Sequence, residues 1–133
     1  MGDVALDSSV IIAILKHEAE APSIMDAIDE ADELFMSSVN YMETGIVWDN
    51  QIGKTNEPQH LDLLLNKLSV TIIPTNFELA HEARAAYRKF GKGNHKAALN
   101  MGDCFAYALA KSMKIPLLYK GGDFNLTDVK KIA

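Results

Sequence analysis

Short apolar runs alternate with longer stretches of helical rhythm along this chain, and the order predicts strands and helices in turn from one end to the other. Val4 to Leu6 is apolar and closed by Asp7, and Ser8-Ser9 bring helix-start chemistry before Val10 to Leu15, so a buried strand passes at once into a helix. Ala19 to Asp32 repeats apolar positions at Ile24, Met25 and Ile28, with Pro22 near its start, which predicts a second helix. Leu34-Phe35-Met36 predicts a second strand. Ser37, Ser38 and Asn40 then offer caps to a helix carrying Tyr41, Met42, Gly45, Ile46 and Trp48, with Glu43 in about its first turn.

Gly53 to Pro58 is a polar break, after which Leu61, Leu64, Leu65 and Leu68 set a helix over His60 to Leu68. Val70 to Ile73 is β-branched and ends at Pro74, a third strand. Asn76 caps an amphipathic helix from Phe77 to Phe90, and Gly91-Lys92-Gly93-Asn94 reads as a flexible connector. Asn100 opens a helix that runs to about Met113, and Asp103 stands three residues on, as in a capping box. Ile115 to Tyr119 makes a fourth strand, Gly121-Gly122 lead to Asp123, and Thr127 to Ala133 is expected as a weak edge strand or a frayed end. Helices between successive strands imply right-handed crossovers and an α/β layered sheet.

At 133 residues and 48% hydrophobic content, the chain suits one domain, 1–133, with one substantial core. No apolar run approaches the roughly 20 residues of a membrane helix, and the start, MGDVALDSSVIIAIL, has an acid where a signal peptide carries positive charge. The N-terminus also lacks the Ser or Thr of a myristoylation motif, so a cytoplasmic protein is the expectation. Cys104 has no internal disulfide partner and reads as a small buried hydrophobe.

The candidate chemistry lies in Asp7, Glu43, Asp103 and Asp123, each near a place where a strand gives way to a loop or helix. In a parallel sheet such places share one edge, so four distant carboxylates are expected to converge. Like charges in one pocket repel unless protons or cations neutralise them, and an oxygen-rich, thiol-free set suits Mg²⁺ or Mn²⁺. Metal-assisted phosphodiester chemistry, with one ion or two, is the reading that follows. Capping is the rival account of each acid taken alone, and it also covers Ser8, Ser9 and Asn40, which have the reach to hold a water or phosphate oxygen.

His17, His60, His81 and His95 have no zinc-ligand spacing, and the chain has no phosphate-binding glycine loop or nucleophile elbow. A net charge of −5 opposes a simple electrostatic nucleic-acid binder but not a nucleic-acid substrate. Arg84, Arg88, Lys89, Lys92 and Lys96 fall in one short stretch, which suits a basic rim for phosphates and equally suits a solvated helix face.

The segments LDSSVIIAIL, SSVNYMETGIV and GKGNHKAALNMGDCFAYALAKSMKIPLLYKGGDFNLTDV, in that order, resemble PIN-domain ribonucleases, in particular VapC toxins of VapBC toxin–antitoxin pairs. NMGDCFAYALA followed by PLLYKGGDF is the most specific part, and the resemblance spans nearly the whole chain. It implies a PIN-like three-layer sandwich, a parallel sheet of four or five short strands flanked by helices. It also implies an endoribonuclease in which Asp7, Glu43, Asp103 and Asp123 bind Mg²⁺ or Mn²⁺ and activate water. Ser8 takes the place of the usual Thr after the first acid, and Thr127 falls where relatives often carry a Thr near the site. Gly122 departs from the Asp or Asn that relatives often place beside the fourth acid, which leaves Asp123 alone there.

The resemblance further implies a homodimer, inhibition by a VapB-type antitoxin whose tail crosses the acidic pocket, and structured RNA targets such as tRNA. A phospho-accepting receiver domain fits less well, because Pro74-Thr75-Asn76 stands where its third-strand aspartate belongs, and Ser9 stands where a dehalogenase-type phosphatase needs a second Asp. A PIN-fold binding module without catalysis is the remaining alternative.

Overall fold

Period-two alternation in the strands decides the layering, since neighbouring residues of one strand must bury on opposite faces. The computed structural model describes residues 2–52 and 58–131. Its elements run β1 (Val4–Leu6), α1 (Ser8–Leu15), α2 (Ala21–Glu30), β2 (Leu34–Ser37), α3 (Ser38–Val47) with a π turn (Trp48–Ile52), α4 (Gln59–Lys67), β3 (Val70–Ile73), α5 (Phe77–Phe90), α6 (Met101–Met113), β4 (Leu117–Leu118) and a 3-10 turn (Asp123–Leu126). The four strands are parallel in the order β3-β2-β1-β4.

Val4, Leu6, Leu34, Met36 and Leu118 face a core filled by α1 to α4, through Val10, Ile11, Ile24, Ile28, Trp48, Leu61 and Leu65. Ala5 and Leu117 face the other core, filled by Leu79, Ala83, Phe90, Tyr107, Leu109 and Phe124 from α5, α6 and the 3-10 turn. The result is the expected sheet between two helical layers. No described helix is long and apolar enough to cross a membrane.

The fourth strand is shorter than Ile115 to Tyr119, because Leu117 and Leu118 alone pair in register with Ala5 and Leu6. Among the described residues the expected edge strand is reduced to a single parallel bridge between Leu117 and Lys131. Its segment is held instead by Asp128, whose carboxylate accepts from the Tyr107 hydroxyl and, at 3.2 Å, from Lys111 Nζ. Most of the polar break, residues 53–57, lies outside the described residues.

Candidate active site

Asp7 is the residue on which the first strand turns into a helix. It caps α1 in extended conformation, and its Oδ2 accepts from the Ser9 amide at 3.1 Å. Its side chain is only 5% exposed and its Oδ1 has no hydrogen-bond partner among the described residues. Burial pushes the Asp7 carboxyl above the ordinary carboxylate range; Ser9 opposes the shift and Glu43 adds to it. A buried oxygen without a partner carries a desolvation cost that a proton or a cation relieves.

Glu43 sits in the middle of α3 rather than its first turn, since Ser37 caps the helix through a bond from the Asn40 amide at 3.0 Å. Ser8 Oγ donates to Glu43 Oε1 at 2.5 Å. The carboxylate rests on Gly102 of α6, where an added Cβ would overlap both of its oxygens. Close approach, and not backbone conformation, therefore requires glycine here.

Asn40 is fully buried and ties three elements together behind the acids. Its Nδ2 donates to Ser8 Oγ at 3.1 Å and to the Gly102 carbonyl at 3.0 Å, while its Oδ1 accepts from Ser37 Oγ at 2.6 Å. It is a hub between α1, α3 and α6 and not the helix cap its position in the sequence suggests.

Asp103 does form the capping box. Its Oδ2 accepts from the Asn100 amide at 3.0 Å and its own amide donates to Asn100 Oδ1 at 2.8 Å. Even so, its carboxyl is pushed up to about 7, first by burial and then, against the lowering bond from Asn100, by the charges of Asp7, Asp123 and Glu43. Burial is the largest cause of the raised value, and it outweighs the lowering bond that the cap supplies; the charges of Asp7, Asp123 and Glu43 add to it.

Asp123 is exposed and opens the 3-10 turn after Gly121 and Gly122. The turn is anchored by Phe124, buried against the Tyr119 ring at 4.8 Å, and by the Tyr119 hydroxyl, which donates to Asn125 Oδ1 at 2.6 Å. Thr127 Oγ1 donates to the Phe124 carbonyl at 2.7 Å and so closes this turn, and among the described residues its side chain makes no bond to another acid-bearing element. The preceding segment is tied to α1, because the Lys120 amide donates to Ser9 Oγ at 2.9 Å and Lys120 Nζ meets Glu18 Oε1 at 2.5 Å.

Among the described residues no three acids, histidines or cysteines stand at ligand distance around one point. The donor set nevertheless fits a hard divalent cation: every candidate donor is oxygen, Asp7 Oδ1 is orphaned, and Gly102 leaves room for the Glu43 carboxylate. Ser8, Asn40 and Gly102 are the positioning groups. Gly102 and the Ser9–Lys120 tie had no role in the sequence reading; the small residue just before Asp103 was the available signal for the first. The histidines are structural where contacts define them: His95 Nδ1 accepts from the Ala97 amide at 3.0 Å and its ring stands edge-on to Phe90, 5.0 Å away.

The raised carboxyls set a pH dependence. Folded Asp103, at about 7, retains a proton that the unfolded chain has released from its ordinary value of 3.8, so the linked stability falls as pH rises between those values. Asp7, shifted the same way, adds to the trend. In a chelator, urea midpoints are expected to decline from about pH 5 to about pH 8, and Asp103→Asn should flatten the decline. A midpoint that rises over this window would contradict the raised values.

The PIN domain family profile matches residues 4–130. Ribonuclease VapC of Mycolicibacterium smegmatis is 42% identical over 129 residues, covering 97% of this chain and 99% of that one. Ribonuclease VapC30 of Mycobacterium tuberculosis is 41% identical over 131 residues, 98% of each chain. Among solved structures, Mycobacterium tuberculosis VapC20, described as a sarcin-ricin loop cleaving toxin, has a TM-score of 0.78 at 13% identity, covering 97% of this chain and 98% of that one. A toxin–antitoxin complex from Klebsiella pneumoniae has a TM-score of 0.73 at 17% identity, with 94% and 92% covered.

Proposed function

The chain belongs to the PIN-domain family of VapC ribonucleases, and from that premise we propose that Asp7, Glu43, Asp103 and Asp123 hold the divalent cation of an endoribonuclease site. The protein is a VapC-type ribonuclease toxin with a VapB-type antitoxin as partner. Divalent-cation dependence goes with the family; Mg²⁺ or Mn²⁺ is our assignment, from the all-oxygen donor set. The observation that carries the reading is geometric: Ser8 holds Glu43 against Gly102, the residue next to Asp103, and the buried Asp7 Oδ1 has no partner among the described residues.

A bound cation there supplies Lewis-acid polarisation of the scissile phosphate and a water acidic enough to lose its proton near neutral pH. The chain prepares the place for it. Ser8 fixes one oxygen of Glu43, Asn40 locks Ser8 against α6, and Gly102 keeps Glu43 close to the first turn that carries Asp103. Burial leaves Asp7 Oδ1 dry and unpaired, so little solvent must be stripped from it when a cation arrives. Asp103 gives up its proton on binding, which makes cation affinity rise with pH through the range near its raised value.

A groove of about 600 Å³ beside the site is lined by Glu43 and Gly102 together with exposed Met42, Ile46 and Met101. An apolar surface of this kind suits a protein contact, and we assign it to the antitoxin or to the second subunit of a homodimer. A guanidinium from an antitoxin tail would pair with the carboxylates in a bidentate fork. We further read residues 1–133 as one PIN domain acting on RNA, tRNA being a candidate target.

The test is cleavage of labelled total RNA by antitoxin-free protein with Mg²⁺, with Mn²⁺ and with EDTA. Discrete fragments in either metal and none in EDTA are expected. Folded protein that cleaves nothing in either metal would leave the fold serving only as a binding module.

A further inference from the structure

The chain carries a net charge of −5, yet the segment from Arg84 to Lys96 holds five cations and no acidic residue. Arg84, Arg88, Lys89, Lys92 and Lys96 make no ion pair among the described residues. Elsewhere the lysines are partly committed: Lys16 to Glu18, Lys111 to Asp128, and Lys120 to Glu18 and Glu20. Arg88 and Lys89 lie in the last turn of α5, where they complement the helix dipole, and Lys89 Nζ also stands 5.1 Å from the centre of the Phe90 ring. Neither effect accounts for Lys92 and Lys96, which lie beyond the helix.

Those two residues belong to a connector with a fixed shape, contrary to the flexibility its glycines suggest. The Lys92 amide donates to the Leu99 carbonyl and the Leu99 amide to the Phe90 carbonyl, both at 2.9 Å. The Tyr87 hydroxyl donates to the Lys92 carbonyl at 3.1 Å, and Asn94 Nδ2 to the Tyr87 carbonyl at 3.2 Å. Ala97 and Leu99 are buried, and an added Cβ at Gly91 would overlap the Tyr87 carbonyl oxygen. Lys92 and Lys96 are left exposed on this frame.

The connector leads directly into Asn100, the residue bonded to Asp103. Arg84 and Tyr87 share a groove with Met101, Cys104 and Phe105, so α5 at Arg84, one turn before Arg88, lies alongside the first turn of α6. A polyanion is repelled by a chain of this net charge and by an acidic pocket, and counterion release at clustered, unpaired cations supplies the attraction that overcomes it.

We propose that the α5–α6 connector and the basic end of α5 form the surface that docks the phosphodiester backbone of the substrate RNA beside Asp103. The proposal rests on the ribonuclease reading above. It makes affinity and cleavage separable, since the cations hold the strand and the acids act on one bond.

The experiment is fluorescence anisotropy of a labelled RNA on Asp7→Asn protein over about 50 to about 300 mM KCl, a range in which counterion release dominates affinity. Lys89→Gln/Lys92→Gln/Lys96→Gln should reduce the slope of log affinity against log salt by about 2, as each single-strand phosphate contact contributes about 0.7. Binding at the lowest salt should weaken at least about tenfold. Lys67→Gln/Lys114→Gln/Lys130→Gln, which removes the same charge elsewhere, should leave the slope as it was. In protein that keeps Asp7, the first triple variant should raise KM far more than it lowers kcat. Equal slopes for the two triple variants would overturn the docking surface, as would an unchanged slope accompanied by a changed oligomeric state in light scattering, which would make the connector a protein contact. RNA binding with an unchanged slope removes this inference alone; no RNA binding by Asp7→Asn protein at any salt, with no cleavage by the parent, removes the ribonuclease reading and this inference together.

Discussion

Asp7→Asn and Asp103→Asn proteins are each expected to fold, to melt no lower than the parent, and to lose cleavage by at least about 10²–10³-fold, the cost of removing one group that acts on a charged transition state. The reasoning separates the two roles each acid plays. Asn caps a helix about as well as Asp, so the bond from the Ser9 amide to residue 7 and the box between Asn100 and residue 103 both survive the change. What disappears is negative charge that burial disfavours at both positions. Stability near pH 8 should therefore hold or rise while the site loses a donor. Circular dichroism melts beside an RNA cleavage gel make the comparison. A cooperative loss of structure in both variants would mean that the acids serve as caps whose charge the fold needs.

Gly102→Ala is expected to weaken Mn²⁺ affinity and cleavage by about 10- to 100-fold, the range for groups that orient ligands, while the melting temperature changes little. The new methyl group would occupy the place where the Glu43 carboxylate now rests. Glu43 is long and held at its end by the Ser8 bond alone among the described residues, so the clash is relieved by breaking that bond and displacing the donor and not by opening the core. Alanine in the first turn of α6 also gains up to about 1 kcal/mol of helix propensity over glycine, which offsets the loss of the Ser8–Glu43 bond. Calorimetric titration with Mn²⁺ and a thermal melt read the two quantities separately. Parent-like Mn²⁺ affinity would show that Glu43 does not act from this position.

Most of the fold was legible because strand and helix periods differ and the punctuation is sharp. Val4 to Leu6, Leu34 onward and Val70 to Ile73 are apolar runs too short for helices, and Asn76 and Asn100 are caps whose side chains accept from Leu79 and Asp103 as their spacing requires. Gly91-Lys92-Gly93-Asn94 reads as flexible, yet the structure ties it down. Glycine and asparagine mark a turn equally whether it is loose or tied, and bonds to Tyr87 and Phe90 decide which. Glu43 was placed a turn too early, because Ser37, Ser38 and Asn40 all have cap chemistry and only Ser37 holds the cap.

By itself the sequence determined the order of elements and the parallel sheet that follows from helical crossovers, and it singled out four acids as candidates, since each of these is read from residues near one another or from the period of a single element. Only the tertiary structure decided that Asn40 joins α1 to α6, that Gly102 makes room for Glu43, and that Asp7 is buried with one oxygen unpartnered among the described residues. The contacts of Asn40 and Gly102 join residues from 32 to 62 positions apart along the chain, and packing, which no local pattern encodes, brings them together.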